Sequence, residues 1–297
     1  MNTMPPRMRL GVVVNFTRNG AIPLLNDVRE WAAKRDIQLI LGDIGFGFPA
    51  GSELKLSVSD MGDSCDAVLV IGGDGTILRV APLVAPQGLP LVAVNTGEFG
   101  FLATAEAHEI HDLLQELQKG TLIEETRCLL DATFTEGGDQ HTVRALNDIV
   151  VHRGEEARVV RMEVYVDDIL VNRFAADGVI VSTPTGSTAY NLSAGGPVFH
   201  PGVDALAITP ICAHTLAVRP VVVSKQTRIV LRAQSYEGGT VYLLSDGQVA
   251  ANLDPGAEVV VQRSSFRVRI LQRAGRSFYH VLRKKLGWAG PRITEHM

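Results

Sequence analysis

The chain has 297 residues, of which 46% are hydrophobic and 20% are charged, and its formal net charge is −4. This hydrophobic fraction excludes a disordered chain, and the length is enough for about two domains of ordinary size. The mild negative charge gives no electrostatic reason to expect nucleic acid as a partner. Three widely spaced cysteines without a CxxC pair exclude a disulfide framework and a zinc site, and they favour a reducing, cytoplasmic location.

No segment has the character of a signal peptide or of a membrane span. The apolar run near the amino terminus is too short for a signal peptide. The longest stretch without a charged residue lies between Asp177 and Asp204, and it is rich in Ser, Thr, Gly and Pro. A membrane-spanning helix needs about 20 mostly apolar residues. We therefore expect no membrane partner, and we expect this stretch to be buried or to face a ligand.

Short apolar runs alternate with helical patterns over the first part of the chain. The predicted strands are residues 10–16, 37–41, 67–71 and 91–94, and the predicted helices are residues 22–34, 77–84 and 107–118. Strands that alternate with helices are typical of a mostly parallel sheet with helices on its faces. The sequence therefore predicts an α/β domain over residues 1–122, with a doubly wound, mostly parallel sheet.

From residue 123 the pattern changes to short β-branched runs separated by Gly, Asp, Asn or Ser. Such runs are typical of strands joined by tight turns. The sequence predicts a β-rich domain over residues 123–271. Residues 276–288 carry a helical pattern, and the sequence leaves open whether the segment 272–297 packs back on the first domain.

A glycine-flanked aspartate follows the predicted strand 67–71 directly, in the sequence GGDGT. Ligands collect where a strand of an α/β sheet ends and a helix begins, and the free N–H groups of the helix suit phosphate. Gly72, Gly73 and Thr76 are therefore candidates for phosphate binding. The alternative is a tight turn in which Asp74 or Thr76 only caps the helix. The sequence lacks a Walker A loop, and no GxGxxG follows the first strand.

Two further motifs have both a functional and a structural interpretation. The sequence NTGEFGFL at 95–102 follows the strand 91–94, and its alternative is an ordinary loop with Phe101 in the core. The sequence ALND at 145–148 ends in an amide and a carboxylate, Asn147 and Asp148, which suit a vicinal diol. A hairpin turn is the alternative for this second motif, because Asn and Asp are common turn residues.

The segment from Asp177 to Pro197 reads DGVIVSTPTGSTAYNLSAGGP. Its hydroxyl and small side chains suit a polar, flat ligand that approaches the backbone closely, and Tyr190 is available to stack on such a ligand. The alternative is a Ser/Thr-rich turn region without a ligand.

GGDGT alone resembles the signature of a superfamily that includes NAD kinases, diacylglycerol and sphingosine kinases and 6-phosphofructokinases. The four motifs GGDGT, NTGEFGFL, ALND and DGVIVSTPTGSTAYNLSAGGP, in this order, resemble NAD kinases along nearly the whole chain. Lipid kinases and phosphofructokinases lack the STPTGSTAY element. The later Pro210-Ile211, His214, Arg219-Pro220 and Asp246-Gly247-Gln248 fit the same pattern.

The resemblance implies that ATP phosphorylates the 2′-hydroxyl of the adenosine ribose of NAD, giving NADP and ADP. It implies that Asp74 accepts the proton, that Gly75 lets the dinucleotide pass closely, and that Arg79 is a candidate counter-charge for phosphate. It implies that Asn147 and Asp148 hold the adenosine side, flanked by Phe101. The remaining NAD contacts that it implies are Asp177, Thr188, Ala189, Tyr190, Asn191, Leu192 and Ser193 at the nicotinamide-ribose end, and Gln248.

The resemblance also implies a divalent cation, Mg²⁺ or another, that arrives with ATP, and self-association as a dimer or tetramer. No metal-ligand cluster is predicted, since His108 and His111 are expected on the solvated face of a helix. Two other functions stay open: a kinase of another hydroxyl substrate, lipid or sugar, and a non-catalytic dinucleotide-binding regulator. Many relatives carry a basic residue where this chain has Ala175, and Arg173 is a candidate to compensate, so use of NADH beside NAD stays open.

Overall fold

The computed structural model describes residues 8–45, 55–97, 100–154, 159–235, 239–254 and 256–288. The chain forms two compact units, one of Met1–Thr126 with Val268–Met297 and the other of Arg127–Arg267. The boundaries predicted from the sequence, after residues 122 and 271, lie close to these limits. Glu98 and Phe99 of the second motif fall outside the described residues.

The first unit is an α/β unit built on a parallel sheet. Its elements are β1 (Arg9–Val14), α1 (Ala21–Ala33), β2 (Gln38–Asp43), β3 (Lys55–Ser57), β4 (Ala67–Gly72), α2 (Asp74–Val84), β5 (Pro90–Asn95), β6 (Ala105–Glu106), α3 (Ile110–Lys119) and α5 (Phe278–Lys285). The strands lie in the order β3-β2-β1-β4-β5, and each neighbouring pair is parallel. The order reverses between β1 and β4, which is the place where open α/β sheets bind ligands.

Helices cover both faces of this sheet. The apolar stripes of α1 and α3 pack in one core with alternate residues of the strands, such as Leu10, Val12 and Leu69. The helix α2 buries Ile77 and Val80 against β4 and β5, outside that core. The prediction of a doubly wound, mostly parallel sheet is confirmed.

The second unit consists of two antiparallel sheets. Its elements are β7 (Ile123–Glu136), β8 (Asp139–Ala145), β9 (Asp148–Arg153), β10 (Val160–Val166), β11 (Ile169–Ala176), β12 (Gly178–Ser182), α4 (Tyr190–Ser193), β13 (Ala205–Ile211), β14 (Val221–Ser224), β15 (Ile229–Ser235), β16 (Val241–Ser245), β17 (Gln248–Leu253) and β18 (Glu258–Gln272). One sheet has the order β14-β13-β12-β9-β16-β17, and the other contains β11-β10-β15-β18 with β7 and β8. A single core joins side chains of both sheets, such as Val151 and Val181 with Met162 and Leu231. The predicted β-rich domain is confirmed.

The strand β18 begins in the second unit and ends in the first. Near its end, Arg269 and Ile270 pair in parallel with Pro90 and Leu91 of β5. The chain then forms α5, within the predicted helical range 276–288, and buries Val281 and Leu282. The C-terminal segment thus belongs to the first unit.

None of the helices in the described ranges is long and apolar enough to cross a membrane.

Candidate functional site

Asp74 is the first residue of α2 and lies at the carboxyl end of β4. Its half-buried carboxylate accepts hydrogen bonds from the backbone N–H groups of Phe101, at 2.8 Å, and Leu102, at 3.3 Å. No side chain caps the start of α2. The capping alternative for Asp74 and Thr76 therefore does not describe the structure. Asp74 instead ties the GGDGT turn to the NTGEFGFL loop, as neighbouring parallel strands allow.

Two glycines permit this close arrangement. A Cβ atom on Gly100 would lie 2.1 Å from the Oδ1 atom of Asp74, and one on Gly72 would lie 2.4 Å from the hydroxyl of Thr76. Both distances are far inside van der Waals contact. A Cβ on the exposed Gly75, by contrast, would meet nothing within 4 Å. The start of α2 thus leaves open space above Gly75.

Asn15 is a buried polar residue that the sequence pattern does not single out, because it falls within the predicted strand 10–16. It lies just after β1, is 7% exposed, and donates from Nδ2 to the Thr76 hydroxyl at 3.2 Å. A Cβ on Gly73 would lie 3.8 Å from the guanidinium of Arg18, so this cation is also near the turn. The signal that would have found Asn15 is a buried polar residue directly after an apolar strand.

Arg79 lies on the exposed side of α2. Its Nη2 atom donates to the carbonyl oxygen of Ile44 at 2.8 Å. Five helical residues span about 500°, so the side chains of Asp74 and Arg79 project in different directions from α2. The structure therefore gives no support to Arg79 as a phosphate counter-charge.

In the second unit the ALND motif is held by Asp246. The carboxylate of Asp246 accepts from the backbone N–H groups of Leu146 at 2.7 Å, Asn147 at 2.7 Å and Asp148 at 3.2 Å. The backbone N–H of Asp246 in turn donates to the Asp148 carbonyl at 3.0 Å. The hairpin alternative is wrong, because β8 pairs with β7 whereas β9 pairs with β12 and β16.

Asp246 occupies the tight turn between β16 and β17, where it and Gly247 have positive φ values of 48° and 76°. Such paired left-handed residues are typical of two-residue hairpin turns. Gln248, the predicted NAD contact of this motif, is the exposed first residue of β17. The turn therefore directs the Asp246 carboxylate toward the ALND motif.

Two carboxyl groups of this cluster have raised pKa values. Burial, and secondarily the charge of Asp246, raises the pKa of Asp148 to about 7. Burial also raises the pKa of Asp246 to about 6, although its three backbone N–H donors oppose the rise. Perturbed carboxyl groups of this kind concentrate at functional sites.

The segment of residues 177–197, called the hydroxyl-rich segment below, packs directly against the ALND motif. The Thr183 hydroxyl donates to the Leu146 carbonyl at 2.6 Å, and the Thr183 N–H donates to the Asn147 carbonyl at 2.9 Å. A Cβ on Gly186 would lie 2.2 Å from that same Asn147 oxygen. Two motifs separated by some 30 residues thus form one surface.

The predicted contacts at 188–193 differ in exposure. Asn191 is fully buried, where its amide donates to the carbonyls of Ser187 and Pro197 and accepts from the Thr209 hydroxyl. Asn191 therefore holds the segment in shape. Tyr190 and Ser193 are exposed, and Thr188, Ala189 and Leu192 are half-buried.

Tyr190 lies within electrostatic range of Asp177 and Asp148. Burial raises the pKa of the Tyr190 phenol, with smaller contributions from the charges of Cys212, Asp177 and Asp148. Asp177 itself pairs with Arg153, whose Nε atom lies 2.6 Å from Oδ1. The charges of Asp177 and Asp148 thus oppose ionisation of the Tyr190 phenol, with smaller effects than burial.

Arg173, the predicted substitute for the missing basic residue, is bound elsewhere. Its Nε atom lies 2.7 Å from Oε1 of Glu163 on the neighbouring strand. The cation that meets Asp177 is Arg153 instead. The carbonyl of Ala175 accepts the N–H of His214 at 2.9 Å, which connects two further parts of the sequence pattern.

Within the described part of the chain, no group of three or more His, Cys, Asp or Glu side chains is arranged to hold a metal ion. His108 and His111 are exposed, and His108 lies 3.7 Å from Glu106.

Comparison with known proteins identifies the relatives of this chain. Residues 10–122 match the family model of the ATP-NAD kinase N-terminal domain, and residues 146–273 match that of the ATP-NAD kinase C-terminal domain. An NAD kinase of Desulforamulus reducens is 38% identical over 280 residues, which are 93% of this chain and 96% of that protein.

Two solved structures are also similar. A yeast NADH kinase in complex with NADH has a TM-score of 0.83 at 25% identity, covering 98% of this chain and 91% of the yeast chain. An NAD kinase from Archaeoglobus fulgidus in complex with ATP has a TM-score of 0.73 at 26% identity, covering 93% and 98%. The resemblance derived from the motifs is confirmed.

Proposed function

Since the chain belongs to the ATP-NAD kinase family and uses ATP to phosphorylate NAD, we propose that Asp74 accepts the proton of the adenosine-ribose 2′-hydroxyl during the transfer. The observation that carries this proposal is the anchorage of the Asp74 carboxylate by two backbone N–H groups at the carboxyl end of β4. A carboxylate fixed in this way is oriented before the substrate arrives, and positioning supplies much of the acceleration in phosphoryl transfer.

The chemistry suits a carboxylate of ordinary acidity. In a loose phosphoryl-transfer transition state the attacking hydroxyl loses its proton late, so the base only needs to accept it as the new P–O bond forms. The products are then NADP and ADP. The free N–H groups at the start of α2, with Gly72, Gly73 and Thr76, provide a favourable environment for phosphate. Arg18 is the cation that supports this assignment best, since it lies near Gly73.

The second unit provides the groups for binding the rest of the dinucleotide. Asn147 and Asp148 are proposed to hold the adenosine side, because Asp246 and Thr183 fix their backbone. Asp177 and the exposed Tyr190 are proposed to bind the nicotinamide-ribose end. Phe101, Gly75 and Gln248 are further proposed contacts.

A divalent cation, Mg²⁺ or another, is proposed to enter with ATP and to be held mainly by its phosphates. When bound it would neutralise phosphate charge. A lipid or sugar kinase and a non-catalytic regulator are not favoured, since the family models and the relatives all point to NAD kinases.

The test is NADP formation from NAD and ATP, with an NADP-specific dehydrogenase as the readout that identifies the 2′-phosphate. We expect Asp74→Asn to keep NAD binding by calorimetry and to lower the rate at least about a hundredfold. Asp27→Asn, on the exposed side of α1, is the control and should turn over normally. A near-normal rate for Asp74→Asn would remove Asp74 from the chemistry.

Self-association as a dimer or tetramer is also proposed. Its support is β14, the edge strand of one antiparallel sheet, on which Val221 and Val222 are 37% and 51% exposed. Exposed apolar edges favour pairing with another chain. Light scattering coupled to gel filtration gives the mass, and Val222→Lys should lower it.

A further inference from the structure

We infer that Arg276 is a positioning residue for Asp74, acting through the backbone of residues 100–102. This inference rests on the proposed role of Asp74 as the base. The observation behind it is that one peptide group, between Gly100 and Phe101, contacts both side chains. The N–H of Phe101 donates to the Asp74 carboxylate at 2.8 Å. The carbonyl oxygen of Gly100 accepts from Nη2 of Arg276 at 3.1 Å.

A second side chain of the C-terminal segment holds the other end of this loop. The amide of Gln272, which is 4% exposed, donates to the Leu102 carbonyl at 3.4 Å. The Leu102 N–H is the second donor to Asp74. Arg276 also donates from Nη1 to the Oε1 atom of Gln272 at 3.2 Å, so the two side chains form one unit. Residues 100–102 are thus held between Asp74 on one side and the pair Gln272–Arg276 on the other.

The physical effect has two parts. A cation on the carbonyl polarises the peptide group and strengthens the hydrogen bond that its N–H makes. The guanidinium also fixes the direction of that N–H, and therefore the direction in which the Asp74 carboxylate presents its free lone pairs. Gly100 makes the contact very close, since a Cβ there would lie 2.1 Å from Asp74. A small rotation of the peptide is therefore transmitted to the carboxylate.

A contact between two aromatic rings also supports a link between the C-terminal segment and residues 100–102. The Phe101 ring lies against that of Phe278, with centroids 6.1 Å apart. The C-terminal segment therefore contacts the loop through both backbone and side chain. By contrast, Arg273 in the same segment pairs with Glu109 and Glu116 on the other side of the turn, at 2.6 and 2.7 Å.

The experiment is a double-mutant cycle between Arg276→Met and Asp74→Asn, in the full-length protein. We expect Arg276→Met to lower kcat at least about tenfold, the scale of a small misplacement of a reacting group, with both KM values changed less than about twofold. The double variant should be no slower than Asp74→Asn alone, because coupled residues are non-additive. Arg276→Lys should recover part of kcat. Arg273→Met is the control and should lower the unfolding midpoint without changing kcat.

The outcomes separate the two proposals. If Asp74→Asn is slow while Arg276→Met has a normal kcat, the positioning role of Arg276 is overturned. The same holds if the losses of the two single variants multiply in the double variant. In both cases the proposed role of Asp74 as the base is retained. If Asp74→Asn turns over normally, both are overturned. Should Arg276→Met fail to fold, the same cycle with Arg276→Lys decides between additive and non-additive loss.

Discussion

Gly186 packs so closely against Asn147 that a Cβ atom at position 186 would lie 2.2 Å from the Asn147 carbonyl oxygen. This contact joins the hydroxyl-rich segment to the ALND motif. The φ angle of Gly186 is not in the left-handed region. The requirement for glycine is therefore steric.

Gly186→Ala should destabilise the protein by about 1–3 kcal/mol, because the added methyl group must displace the backbone around Asn147. The KM for NAD should rise as well. Urea denaturation followed by circular dichroism measures the first effect and steady-state kinetics the second. Unchanged stability would show that the two segments separate easily.

Gly75→Ala should have the opposite pattern. A Cβ at position 75 meets nothing within 4 Å, and alanine is favoured over glycine in helices by up to about 1 kcal/mol. Stability should therefore stay equal or rise, whereas the KM for NAD rises because the methyl group obstructs the approaching dinucleotide. An unchanged KM would mean that the substrate does not pass close to this backbone.

Asp246→Asn should weaken the ALND motif. The amide keeps one acceptor oxygen but turns an NH₂ group toward backbone donors, which leaves at least one of the N–H groups of Leu146, Asn147 and Asp148 without its acceptor. Such a loss costs about 1–3 kcal/mol. Denaturation and the KM for NAD are the measurements, and the exposed Asp254→Asn is the control.

Stability should depend on pH through Asp148. Its folded pKa, about 7, lies above the usual value of 3.8, so the native state binds more protons than the unfolded state between these two values. The free energy of unfolding contributed by this group therefore falls as pH rises from about 4 to 7. We expect wild type to lose stability relative to Asp148→Asn between pH 5 and pH 8. A pH-independent difference between the two proteins would contradict the raised pKa.

NADH should be phosphorylated at a measurable rate, and Arg153 should influence the choice between NAD and NADH. Its guanidinium lies 2.6 Å from Asp177. The oxidised nicotinamide ring is cationic, so Arg153→Gln should raise the preference for NAD by about threefold or more. The control is Arg173→Gln, whose partner is Glu163. Negligible NADH turnover by wild type would count against the first expectation.

The order of strands and helices could be predicted because apolar runs and helical stripes are local signals. Asp74 could be found for the same reason, since its glycines stand beside it in the chain. The hydrogen bond between Asp246 and Leu146 could not be predicted, because 100 residues separate them and neither motif contains a residue pattern that indicates the other. Asn15 could not be predicted as a site residue either, because it lies within an apolar run. Only the structure shows that β1 ends at Val14, one residue before it.

The return of β18 to the first unit means that this unit is assembled from two distant parts of the chain. The ion pair between Arg273 and Glu116 of α3, and the pairing of Ile270 with β5, form only after the chain has been synthesised past residue 273. A translation product truncated before residue 268 would therefore carry the GGDGT turn without the segment that completes its surroundings.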